Sequence, residues 1–148
     1  MNASSLLEAM VETGNQIDSE WSMYIVVHLG LFWFFFLIHR PLLLVERAIA
    51  LFAYGAFAYI NGNSLISTYN MLEAMRSDLV TSFRDALANT PATANELAQN
   101  YYGGRDELIL VTHGAAFAVV ALLLAFRNVI IRRYERDFPR HADLGTGG

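Results

Sequence analysis

The chain of 148 residues contains no cysteine, no lysine and only three prolines. The missing cysteine excludes a disulfide framework, thiol chemistry and any cysteine-ligated metal. The missing lysine leaves ten arginines as the entire basic complement, against 14 acidic residues and a formal net charge of -4. A chain of that sign offers no basic nucleic-acid surface, so no nucleic-acid partner is expected. Charge of either sign is scarce, at 16% of residues. Short chemical signatures are absent too. There is no phosphate-cradling Walker loop, no dinucleotide fingerprint, no HExxH, no GxSxG and no EF-hand loop. No Ser/His/Asp or paired-carboxylate grouping stands at workable spacing. The chain is therefore not expected to be an enzyme or to hold a metal ion.

The first twenty residues, MNASSLLEAMVETGNQIDSE, lack a basic region before an apolar core and carry Glu8, Glu12, Asp18 and Glu20. They do not resemble a cleavable signal peptide, so this segment is expected to stay in the mature protein.

What the chain has in abundance is apolar surface: 55% hydrophobic residues. Residues 21–38 and 108–126 carry no formal charge, and 42–60 is interrupted only by Glu46 and Arg47 near its start. Eighteen residues of helix span about 27 Å, close to the hydrocarbon core of a bilayer. The expected fold is an all-α integral membrane protein with three transmembrane helices, a helical hairpin plus a third span, under an outer amphipathic helical cap. The expected divisions are an outer amphipathic helix over 1–20, the hairpin over 21–60 and an outer helical segment over 61–107. The third span over 108–131 and a basic tail over 132–148 complete the chain. Arg40 and Pro41 mark the hairpin turn, with Pro41 suited to the first turn of the second helix. Asn61-Gly62 is expected to end span two, with Asn63 or Ser64 capping the next helix.

Orientation follows from the arginines near the span ends. Seven of them (Arg40, Arg47, Arg127, Arg132, Arg133, Arg136 and Arg140) fall on the side of the hairpin turn and the tail. Three (Arg76, Arg84 and Arg105) fall on the other side, among ten acidic residues. The expectation is a bacterial inner-membrane protein with its N-terminus and residues 61–107 outside and its C-terminus in the cytoplasm. The tail arginines are suited to anionic lipid headgroups.

Outside the membrane, residues 64–89 carry an apolar stripe of Leu65, Tyr69, Leu72, Met75, Leu79, Phe83 and Ala86 in steps of three and four. The stripe suits packing against the N-terminal helix, or docking of a larger partner. Thr90-Pro91 suits the start of a shorter helix to about Asn100, and Tyr101-Tyr102-Gly103-Gly104 a turn with interfacial aromatics.

Four features inside the spans invite a functional reading. His28 lies seven residues, about 10 Å, below the outer end of the first span. His113 lies at similar depth in the third, which runs in the same direction. Two imidazoles at matched depth are candidate axial ligands of a b-type haem; the alternative is that each hydrogen-bonds a neighbouring helix, with Tyr24 and Thr112 within reach. Gly114, Ala118, Ala121 and Ala125 form a small-residue seam that lets another helix approach closely. Glu46 is placed to pair with Arg127, while Arg47 can snorkel to the interface. Bulky residues 32–36 point in all directions around the first span, so some must face lipid. The function these features favour is a non-catalytic accessory or anchor subunit of a membrane complex, or a self-assembling oligomer. A haem-binding electron-transfer subunit using His28 and His113 is the first alternative, and a small oligomeric channel the second.

Overall fold

A computed structural model describes residues 3–38, 40–87, 92, 96 and 100–137. Three long helices carry it: α1 (Ala3–Leu37), α2 (Leu44–Ser82) and, after the single-turn α3 (Arg84–Leu87), α4 (Asp106–Asp137). At 1.5 Å per residue their 35, 39 and 32 residues make rods of about 52, 58 and 48 Å. All three are longer than the roughly 20 residues a bilayer core requires. Two of them, α2 and α4, are long and apolar enough over an 18-residue window to cross a membrane. α2 is central, packing against both α1 and α4. It runs antiparallel to each, so α1 and α4 run parallel.

The helices are more continuous than their sequences suggest. No break separates residues 1–20 from 21–38; α1 passes through both, with Gly14 inside it. Asn61 and Gly62 do not end span two, and Asn63 and Ser64 cap nothing: all four lie within α2. The reason is tertiary. Asn61 and Gly62 are both buried, and the Asn61 side chain finds partners on α1 and α4 that outweigh its weak helix propensity. α2 then ends earlier than residue 89, at Ser82, where Phe83 leaves helical geometry at φ -123°, ψ 28°. Pro41 precedes the helix instead of opening it. α2 begins at Leu44, and Glu46 closes its first turn by accepting the Leu43 N–H at 2.9 Å. Of the expected helix from Thr90-Pro91 to about Asn100 only residues 92, 96 and 100 are described; Ala92 and Glu96 are helical, and the Asn100 N–H donates to the Glu96 carbonyl at 3.0 Å. Thr90, Pro91 and the tail beyond Asp137 with Arg140 lie outside the described residues.

Two apolar clusters hold the bundle. The first joins Leu6, Met10 and Ile17 of α1 to Leu65, Tyr69, Leu72 and Leu79 of α2 and Ile109 of α4. The stripe read from the sequence is thus occupied from within the chain. Met75 and Phe83 pack at its margin. The second cluster joins Leu42, Tyr54, Val120 and Leu124, with Leu31, Phe34 and Phe35 against it. Apolar residues also cover the outside of the bundle. Phe32, Trp33, Ile49, Phe52, Val111, Val119 and Phe126 are each more than half exposed, and Phe52 reaches 79%.

The turn before α4 is tied to α2 by charge. Gly104 takes φ +69°, a conformation that favours glycine. The Tyr102 N–H donates to Glu73 Oε2 at 3.0 Å, and Arg76 grips the same carboxylate at 2.9 and 2.5 Å. Hydrogen bonding from Arg76 holds the Glu73 carboxyl below its ordinary range. A folded-state value below the unfolded one stabilises the fold above the unfolded value and is lost as pH falls through the folded one. Thermal stability of the wild type is therefore expected to fall on acidification below about pH 4.5, near the usual carboxylate range. Glu73→Gln should flatten that part of the profile; a variant profile that superimposes on the wild type would refute the tie.

Candidate functional site

Between the two apolar clusters lies a layer of polar side chains, contributed by all three long helices. Helical spacing places them there. Glu20, Tyr24 and His28 follow at four-residue steps on one face of α1, and Asn61, Ser64 and Thr68 share a face of α2. α4 contributes His113, one turn beyond the fully buried Ile109.

His28 and His113 do come together, each in ring contact with the same tyrosine. The Tyr24 ring centroid lies 4.1 Å from that of His28 and 4.4 Å from that of His113. Its hydroxyl donates to the Thr112 carbonyl at 3.3 Å, tying α1 to α4. Trp21 adds a contact to His113 at 6.0 Å between centroids and donates its indole N–H to the Tyr69 hydroxyl.

Each ring nitrogen of His28 and His113 has a partner. His28 Nδ1 meets the Tyr24 carbonyl at 2.6 Å, and Nε2 meets the Tyr54 hydroxyl at 2.5 Å. His113 Nδ1 meets the Ile109 carbonyl at 2.9 Å, and Nε2 meets Asn61 Oδ1 at 2.9 Å. The Asn61 amide donates in turn to the Glu20 carbonyl at 3.2 Å. This arrangement does not fit a haem held by His28 and His113. Axial ligation needs a free Nε2 on each ring, and here both Nε2 atoms are engaged, by the Tyr54 hydroxyl and by Asn61 Oδ1. Among the described residues no group of three or more His, Asp or Glu is placed to hold a metal ion.

Glu20 anchors the outer edge of the layer. Its Oε1 accepts from Ser64 Oγ at 2.6 Å and Gln16 Nε2 at 3.1 Å, with Thr68 Oγ1 at 3.4 Å. Its Oε2 is buried and has no hydrogen-bond partner among the described residues. Beside His113 a shallow groove of about 410 Å³ opens between α2 and α4. Gly55, Ala58, Gly62 and Gly114 are among the residues that line it. Gly62 is where the His113 ring approaches α2: a Cβ there would sit 3.5 Å from His113 Cδ2.

The charges at the other end of the bundle pair differently from the sequence expectation. Glu46 binds Arg40, at 2.9 and 2.5 Å, and not Arg127. Arg127, only 6% exposed, instead donates to the Phe35 carbonyl at 2.8 Å and to the Ile38 carbonyl, and lies over the Phe35 ring. It thus satisfies the carbonyl end of α1, where the helix dipole favours a cation. Arg47 reaches the Ala125 carbonyl at 3.4 Å. Asn128 binds both backbone groups of Leu42, at 3.1 and 3.2 Å. The small-residue seam does not pack within the chain: Gly114, Ala118 and Ala125 are exposed and Ala121 is half-buried. The buried face of α4 is Ile109, His113, Val120, Leu124 and Arg127.

Glu20, Tyr54 and Asn128 were not read from the sequence as site residues, and Asn61 was read only as part of a helix end. Asn61 and Asn128 carried a usable signal, as polar residues at the ends of apolar runs on helix faces that otherwise pack. Comparison with protein-family models, curated proteins and solved structures returns no match to this chain.

Proposed function

We propose that the chain is a membrane-integral, non-catalytic subunit in which α1, α2 and α4 all cross the bilayer, and that it assembles with other helices, most simply further copies of itself. The observation that carries this is the distribution of apolar surface. Only 28% and 22% of the most apolar windows of α2 and α4 is buried. A core helix of a soluble protein buries most of such a window, and monomeric soluble proteins rarely expose apolar surface on this scale. The outward face of Gly114, Ala118 and Ala125 supports assembly, because small side chains let a second backbone approach closely. The arginine distribution favours an N-terminus outside and a C-terminus in the cytoplasm of a bacterial inner membrane, with Arg132, Arg133 and Arg136 near anionic headgroups.

The absence of cysteine makes one set of single-cysteine variants decisive. In membranes washed with alkali, Ala118→Cys is expected to form a disulfide-linked dimer on mild oxidation. Asp78→Cys is expected to react with an impermeant maleimide from outside, and Arg132→Cys only after permeabilisation. Loss of the protein in the alkaline wash would remove the membrane reading. An uncrosslinked Ala118→Cys in membranes would remove self-assembly through this face, and reversed labelling would invert the topology.

A further inference from the structure

The polar layer is short of protons. Both His113 nitrogens face acceptors: the Ile109 carbonyl at Nδ1 and Asn61 Oδ1 at Nε2, each at 2.9 Å. A neutral imidazole carries one N–H, so it satisfies one of these contacts and turns a lone pair towards the other. Turning the Asn61 amide round offers no escape. Its nitrogen donates to the Glu20 carbonyl at 3.2 Å, and the exchange would set Oδ1 against that carbonyl. Only an imidazolium, with two N–H groups, satisfies every contact as it stands. A second defect lies in the same layer. Glu20 Oε2 is buried without a donor, while Oε1 accepts from Ser64 and Gln16.

We propose that this layer is a proton-binding site. His113 takes up one proton from water and becomes an imidazolium held by the Ile109 carbonyl and Asn61 Oδ1. The other titratable groups around it are Tyr24 and His28 on α1, Tyr54 on α2, and Asp106 two turns earlier on α4. Arg105 lies over the Tyr69 ring. His28 does not share the defect. Its Nδ1 faces a carbonyl and its Nε2 a hydroxyl, and Tyr54 can donate to that nitrogen, so a neutral ring satisfies both contacts. The uptake therefore belongs to His113. Because its Nε2 contact passes through Asn61 to the backbone of α1, the bound proton tightens the junction of all three helices.

The test is nitrogen NMR of the full chain, with histidine labelled, in lipid bilayers across about pH 5 to 8, where imidazole ordinarily titrates. Loss of one signal set in His113→Gln assigns the residue. In the wild type both His113 nitrogens are expected to become protonated on acidification while the helices remain folded. Asn61→Leu removes one acceptor, and the imidazolium-to-neutral ratio at a given pH should fall about tenfold, as for one charge-assisted hydrogen bond. Asn61→Asp keeps an acceptor and adds negative charge, so the ratio should rise about tenfold. This second variant keeps the question open if Asn61→Leu does not fold. A His113 that remains a neutral single tautomer until the helices melt overturns the proposal. So does a titration unmoved by either Asn61 substitution.

Discussion

Arg127→Leu is expected to destabilise the bundle by about 2–4 kcal/mol, the sum of leaving two carbonyls without their donor. The carbonyls are those of Phe35 and Ile38, at the C-terminal end of α1. The Arg127 side chain reaches them from α4, across helices 89 and 92 residues apart in sequence. A leucine of similar bulk fills the space and restores neither bond. Arg127→Lys should fall between the two, because an ammonium on a flexible stem cannot reproduce the planar fork that spans both carbonyls. The measurement is thermal unfolding in detergent micelles, followed by helical circular dichroism. Wild-type stability in Arg127→Leu would mean that Asn128, bonded to both backbone groups of Leu42, holds the hairpin turn alone.

How much of this was legible in the sequence depends on how local each signal is. The apolar runs and the stripe from Leu65 to Phe83 are written in steps of three and four, and helical geometry converts such steps directly into a face. The shared level of His28 and His113 in the bundle follows from the same rise per residue. Their common contact with Tyr24 does not, because it depends on how α1 rotates against α4, a property of packing that no single segment encodes. The continuity of α2 through Asn61-Gly62 was illegible for the same reason. Locally the pair reads as a helix end, and only the approach of His113 to Gly62 and of Glu20 to Asn61 makes it a favourable helix interior. Glu46 shows the opposite error. A distant partner was expected, and Arg40, six residues earlier, takes the carboxylate because the turn folds back on itself. The seam on α4 was visible as a pattern of small residues, but a pattern does not say which face of a helix the chain itself covers.

The coupling between Asn61 and His113 should be measurable as a departure from additivity. Asn61 is 5% exposed and His113 6%, so neither has water to replace a lost partner. His113→Leu leaves Asn61 Oδ1 buried without a donor, which costs about 1–3 kcal/mol. Asn61→Leu leaves the His113 ring with one contact in place of two and frees the Glu20 carbonyl. In the double variant the two leucines face each other between α2 and α4, and the penalty of an orphaned partner disappears from both sides. The double variant is therefore expected to be more stable than the sum of the two single effects predicts, by about 1 kcal/mol or more. Additivity within about 0.5 kcal/mol, the figure for independent sites, would show that the contact contributes nothing beyond its two separate environments. A clear coupling would mean that the layer specifies how the two apolar clusters of the bundle sit on each other, since α4 and α2 meet there through these two side chains and α1 joins them through the Glu20 backbone.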